Sequence, residues 1–125
     1  MPEIKGIGVD LCGIERMEKA IAKPHFAERV FTQAERETIA SRGQGAAQTA
    51  AAMFAAKEAV AKALGTGFSG GVSVGEIEVL HEQSGAPRVA LSGGARERLS
   101  ALGGQRVWIS LSHEGDMAAA FAVIE

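Results

Sequence analysis

The chain has 125 residues, 13 basic against 15 acidic side chains for a formal charge of −2, and is 46% apolar. That length suits one domain with a real core, the charge balance argues against a broad nucleic-acid footprint, and the single cysteine, Cys12, excludes an internal disulfide and a multi-cysteine metal site. No apolar run of signal or membrane-spanning type stands near the start, where Glu3 and Lys5 interrupt at once, so a cytosolic protein with no membrane partner is expected.

Ile4 to Leu11 reads as a first strand, with Ile7, Val9 and Leu11 on one face and Gly6, Gly8 and Asp10 on the other. Asp10 emerges at the strand end, and the glycines before it leave room for another backbone or a phosphate to come close. On this segment alone Asp10 is as well explained by a cap of the next helix as by a ligand role. Cys12 reads as a small buried hydrophobe, since no local pattern argues for an activated thiol. A helix over Ile14 to Lys23 is stopped by Pro24, with Ile14, Met17 and Ile21 as its apolar stripe. Arg16, Lys19 and Lys23 gather on its far side, a basic face that usually means no more than solvation.

A second helix lies within Phe31 to Arg42, opened by Thr32, with Glu35 completing a capping-box pattern. Ser41 to Gly45 is a polar break, and a third helix then runs from about Ala46 to Leu64, where Gly65 supplies the left-handed stop. At 100° per residue Met53, Ala56, Val60, Ala63 and Leu64 share one core-facing stripe. Glu58 and Lys62, four residues apart, share the opposite side; a surface ion pair explains them without any chemistry, with Lys57 simply solvated.

Thr66 to Ser73 reads as a mobile loop, and the N–H groups of Gly65, Thr66 and Gly67 suit either a phosphate or only the turn. Val74 to Glu82 is a half-exposed strand, turned by Ser84-Gly85-Ala86-Pro87 into a second at Arg88 to Leu91. A short helix from Gly94 to Leu102 leads to a strand at Arg106 to Ser112, and after His113-Glu114-Gly115-Asp116 a buried strand returns over Met117 to Ile124. The fold class is α+β, a small mostly antiparallel sheet packed against helices.

The string Phe54-Ala55-Ala56-Lys57-Glu58-Ala59, continuing through Lys62-Ala63-Leu64-Gly65-Thr66-Gly67, resembles the motif of the holo-[acyl-carrier-protein] synthases, the small bacterial 4′-phosphopantetheinyl transferases. Further strings match in order: Gly8-Val9-Asp10 with Ile14-Glu15-Arg16, Arg29-Val30-Phe31-Thr32 with Glu35, Gly85-Ala86-Pro87, and Ser110-Leu111-Ser112-His113-Glu114. One such string is weak, but five in series along the chain are specific.

The resemblance implies one 4′-phosphopantetheinyl transferase domain over residues 1–125, of that family's fold. It implies transfer of the 4′-phosphopantetheine arm of coenzyme A to a serine of apo acyl carrier protein in fatty acid biosynthesis, leaving adenosine 3′,5′-bisphosphate. Asp10 and Glu58 match the family's Mg²⁺ ligands, and Mg²⁺ suits phosphoryl transfer because it binds through one or two carboxylates plus phosphate oxygens. Lys62 is implied at the pyrophosphate, with Lys57, Gly65, Thr66, Gly85, Pro87, Ser112 and His113 as coenzyme contacts and Glu114 as an acidic neighbour of the metal. The serine needs a base, either Glu58 or a metal-bound water that it orients. Arg16, Lys19 and Lys23 would face the acidic carrier, and a homotrimer with active sites between subunits is expected. Met53 departs from the family, which commonly has Arg there, leaving Arg42, Arg88 or a lysine to replace one phosphate contact. Two rival classes are a coenzyme-binding module without activity and an interaction domain for an acidic partner.

Overall fold

A computed structural model describes residues 3–125. The elements are β1 (Gly6–Gly13), α1 (Ile14–Ile21), α2 (Pro24–Val30), α3 (Gln33–Ser41), α4 (Ala46–Leu64), β2 (Ile77–His81), β3 (Pro87–Leu91), α5 (Gly93–Ala101), β4 (Val107–Glu114) and β5 (Met117–Ile124), with 3₁₀ turns at Gly43–Gly45 and Val74–Glu76. One antiparallel sheet has the order β1-β5-β4 and the other is the β2-β3 hairpin. The architecture is α+β, as expected.

Several boundaries differ from the sequence reading; β4 runs through His113 and Glu114, which the reading placed in the turn after it. Pro24 ends the first helix but also starts α2 at its first turn, where a missing N–H costs nothing, and Lys23 becomes the N-cap of that helix. Val74 to Glu76 coils into a 3₁₀ turn because Ser73 and Glu76 close a capping box of their own. β1 extends to Gly13, so Asp10 lies inside the strand rather than at its end. The Thr32 and Glu35 capping box of α3 is present as read.

Helix α4 is the centre of the molecule, packed across β1, β5 and β4 and against α1 and α3. Twelve of its nineteen residues are buried, so the apolar stripe read from periodicity is only part of its buried surface. Small residues make the approach close. A Cβ at Gly6 would overlap the carbonyl oxygen of Ala63, and one at Gly8 the carbonyl oxygen of Ala59. The inner face of β5 is likewise small, with Ala118, Ala120 and Ala122 fully packed beneath the helix. The glycine face of β1 therefore turns inward and its apolar face outward. Ile7, Val9 and Leu11 are each more than half exposed, beside Phe121 at 45% and Trp108 at 51%. An uncovered apolar sheet face of this kind is informative where scattered apolar residues are not.

A buried ion pair fixes α4 to the rest of the fold. Lys57 and Glu35 are both fully buried, with Nζ 2.9 Å from Glu35 Oε1. Lys57 Nζ also donates to the carbonyls of Ile77 at 2.6 Å and Val74 at 3.1 Å, while Glu35 accepts from the amides of Thr32 and Val79. Burial lowers the Lys57 pKa and the Glu35 carboxylate opposes that shift. Because nearly every polar atom is answered, the pair is tolerated; removing one partner of such a pair typically costs about 3–5 kcal/mol.

The helix-to-strand contact yields a test. Gly8→Ala forces a methyl group against a backbone carbonyl that cannot rotate away, so the variant should lose about 1–3 kcal/mol of stability. Chemical denaturation checks this, and a variant as stable as the parent would show that α4 can retreat from β1 without loss.

Candidate active site

The inward face of β1 and the last turns of α4 bring three of the expected residues together. Lys62 Nζ donates to Asp10 Oδ1 at 2.9 Å and to the Val9 carbonyl at 3.1 Å. Its side chain remains 53% exposed while that of Asp10 is 20% exposed, so the ammonium sits at the mouth of the site. The ion partner of Lys62 is thus Asp10, across the strand, and not Glu58 one turn back on its own helix. Glu58 is half-buried, and its pKa is raised, first by burial and then by the negative charge of Asp10, with Lys62 opposing. Among the described residues no group of three or more His, Cys, Asp or Glu could hold a metal ion. The Asp10 and Glu58 pair has the donor chemistry for a hard divalent cation that keeps other oxygen ligands, and such a cation would relieve the like-charge repulsion that Glu58 feels.

Glu58 also opens onto a mostly apolar groove of about 430 Å³, lined with Phe26, Arg29, Val30, Phe54, Phe68, Val72, Ser73 and Val74. Cys12 is buried beneath Asp10, and burial pushes its thiol pKa up despite the nearby Arg16 guanidinium, which fits the small-hydrophobe reading. Arg16, Lys19 and Lys23 are exposed, with Lys19 loosely paired to Glu15 at 3.7 Å.

Three expected coenzyme contacts, Lys57, Gly65 and Thr66, are corrected. Lys57 cannot reach a phosphate, because it is wholly buried and its ammonium is taken by Glu35, Val74 and Ile77. The amides of Gly65, Thr66 and Gly67 are also committed, since they donate to the carbonyls of Lys62 and Ala61. Gly65 at φ 82° closes the helix in the left-handed manner, and Arg98 Nε takes the Leu64 carbonyl at 2.8 Å. This turn serves helix closure and leaves no free amide for an anion.

The remaining residues collect at the other end of α4. His113 Nδ1 accepts from Gln48 Nε2 at 2.9 Å, and both line a hollow of about 170 Å³ with Arg42, Thr49 and His81. Pro87 pairs with His81 across the hairpin whose turn holds Gly85. His81 Nδ1 is buried without a partner, and burial followed by the Arg42 charge lowers its pKa. Ser112 and Glu114 border a shallow hollow on the outer sheet face with Leu11 and Met117. Gln48 and Glu58 are ten positions apart on one helix, about 15 Å along its axis. One chain therefore carries two separate clusters rather than a closed site. Met53 lies in the core at 1% exposure and faces neither cluster. Sequence reasoning missed Gln48, His81 and Arg98, which belong to no local pattern, and the second role of Glu35 beyond its cap.

Comparison with known proteins now bears on these clusters. The sequence profile described as the 4′-phosphopantetheinyl transferase superfamily matches residues 6–122. A holo-[acyl-carrier-protein] synthase of Shewanella loihica is 44% identical over 98% of this chain and 98% of its own length. The crystal structure of holo-[acyl-carrier-protein] synthase from Neisseria meningitidis superposes with a TM-score of 0.86 at 36% identity, covering 98% of this chain and 99% of that one. The Helicobacter pylori holo-[acyl-carrier-protein] synthase in complex with coenzyme A superposes with a TM-score of 0.82 at 30% identity, covering 95% and 99% of the two chains. With profile, relatives and fold agreeing over nearly the whole length, the chain belongs to the 4′-phosphopantetheinyl transferase superfamily and is an enzyme of that class.

Proposed function

We propose that residues 1–125 act as one domain that moves the 4′-phosphopantetheine arm of coenzyme A onto a serine of apo acyl carrier protein, with Mg²⁺, in the cytosol and in the service of fatty acid biosynthesis. The observation that carries this reading is the convergence of Asp10 and Lys62 on Glu58, which lines an apolar groove. The names of the relatives and the coenzyme A held by the Helicobacter pylori protein support it. In the reaction the serine oxygen attacks the phosphorus that bears the arm, the phosphoanhydride bond breaks, and adenosine 3′,5′-bisphosphate leaves.

Asp10 and Glu58 would hold Mg²⁺, which when bound supplies positive charge to the pyrophosphate oxygens. Lys62 adds a second positive charge at the same place, where charge builds as the bond breaks. Glu58, which lines the groove, takes the serine proton. The groove beyond Glu58 suits the uncharged part of the arm. Arg16 and Lys19 on α1 and Lys23 at the start of α2, all exposed, form the carrier-facing surface, where opposite charge speeds encounter.

His113, Ser112, Pro87 and Gly85 would contact the nucleotide part of the coenzyme from a neighbouring subunit. The separation of the two clusters along α4 and the uncovered apolar face of Ile7, Val9, Leu11 and Phe121 both support self-association as a homotrimer.

Mass spectrometry of apo carrier protein incubated with coenzyme A, Mg²⁺ and the purified chain tests the activity. The carrier should gain the mass of one arm, and an unmodified carrier at enzyme excess would refute the assignment. Glu58→Gln should abolish most transfer and yet raise the thermal midpoint of the metal-free protein by a few degrees. The sign follows from the raised pKa: the protonated form contributes stability at low pH that is lost as pH rises through that pKa, so at neutral pH the ionised carboxylate is the less stable form, and Gln avoids it. A lower midpoint would remove the picture of a strained carboxylate. Subunit sharing is checked by mixing inactive Asp10→Asn with inactive His113→Ala under exchange. Recovery of part of the parent rate is expected, whereas two variants that stay inactive together would place the whole site in one chain.

A further inference from the structure

The buried Lys57 has no part in the chemistry set out above, yet its position next to Glu58 gives it a second consequence. Adjacent residues on a helix point about 100° apart, so one turn of α4 delivers Glu58 to the groove and Lys57 to the interior behind it. There the ammonium grasps the carbonyl of Val74 at 3.1 Å and that of Ile77 at 2.6 Å. Val74, with Val72 and Ser73, lines the same groove as Phe54 and Glu58. The far side of this segment is tied to the start of α5, through Ser92 N–H to the Glu76 carbonyl at 3.0 Å and Gly94 N–H to Glu76 Oε2 at 2.9 Å, and Ile77 opens β2. On the side that meets α4, the Lys57 ammonium bonds both Val74 and Ile77, so a side chain that begins on α4 helps set their distance from it.

We propose that Lys57 is a positioning residue for arm transfer, fixing the width of the groove beside Glu58 by holding residues 74–77 to the helix that carries Glu58. The inference rests on the proposed function, in which that groove receives the arm of coenzyme A. Glu35 is the counter-charge that allows the ammonium to stay at this depth, and the two carbonyls are the atoms through which it acts. Losing the hold widens or collapses the groove while Asp10, Glu58 and Lys62 keep their places on β1 and α4. Binding of the arm is then weakened more than the step itself, which appears as a change in KM with kcat largely kept.

The test is steady-state transfer by the parent and by the double variant Lys57→Met with Glu35→Gln. The double change removes both buried charges at nearly constant volume and leaves one amide oxygen for either Thr32 N–H or Val79 N–H, which donate to different oxygens of Glu35 in the parent. The expected result is a cooperative thermal melt, KM for coenzyme A raised by about tenfold, and kcat within about twofold of the parent, the pattern of lost uniform binding. A folded double variant with the parent's KM and kcat would overturn the proposal and leave the pair with stability alone. If the double variant gives no cooperative melt, hydrogen exchange of the parent decides. Amides of residues 74–77 that exchange as slowly as those of α4, with or without coenzyme A, support a wall held in advance. Exchange at the rate of an open loop until coenzyme A is added would overturn it. A parent that transfers no arm would count against the proposed activity, and faster exchange of residues 74–77 in Lys57→Met than in the parent would still show that Lys57 holds the wall, while equal exchange would overturn it.

Discussion

The rest of this molecule depends on how closely α4 lies against β1. Hydrogen atoms at Gly6 and Gly8 are the only groups that fit beneath the carbonyls of Ala63 and Ala59. That contact brings a strand backbone next to a helix backbone with no side-chain layer between them, and it has a direct chemical result. Asp10, two residues after Gly8 on the same face, lands beside Lys62 and within the electrostatic reach of Glu58. A side-chain layer of ordinary thickness would hold the two carboxylates apart. The site is thus a product of small residues as much as of charged ones, and its geometry is as stiff as the packed interior on which it rests.

Much of this was legible in the sequence. Ala46 to Leu64 and Met117 to Ile124 were readable to their ends because an Ala-rich run closed by Gly, and an apolar run after a polar turn, each admit one structure. The capping box at Thr32 was equally plain. The inward face of β1 was not, because alternation shows that two faces differ but not which one meets the core. There the glycines, and not the apolar residues, mark the buried side. Lys57 was misread for a related reason. A lysine in a helix is solvated by default, and only the distant Glu35 together with two carbonyls from residues 74 and 77 makes its burial possible. Sequence separation hides such pairs.

The candidate site shows the same limit. Motif strings brought forward Asp10, Glu58, Lys62 and His113 but carried no distances. In the fold the first three meet at one end of α4, while His113 joins Gln48, His81 and Arg42 at the other. Gly65 and Thr66 belong to the string, yet their amides are occupied by Ala61 and Lys62, so their presence in it reflects helix termination. A motif records every residue the local structure needs, and only some of these meet a ligand.

The outward face of the β1-β5-β4 sheet carries a consequence for how such a protein behaves at low abundance. Ile7, Val9, Leu11, Trp108 and Phe121 present a surface that water does not favour, and a second copy of the chain would cover it. If each subunit lends one cluster to its neighbour, as proposed, the working unit is the contact and not the chain. Activity would then rise more steeply than in proportion to the number of chains made, and would fall away on dilution before any chain had unfolded.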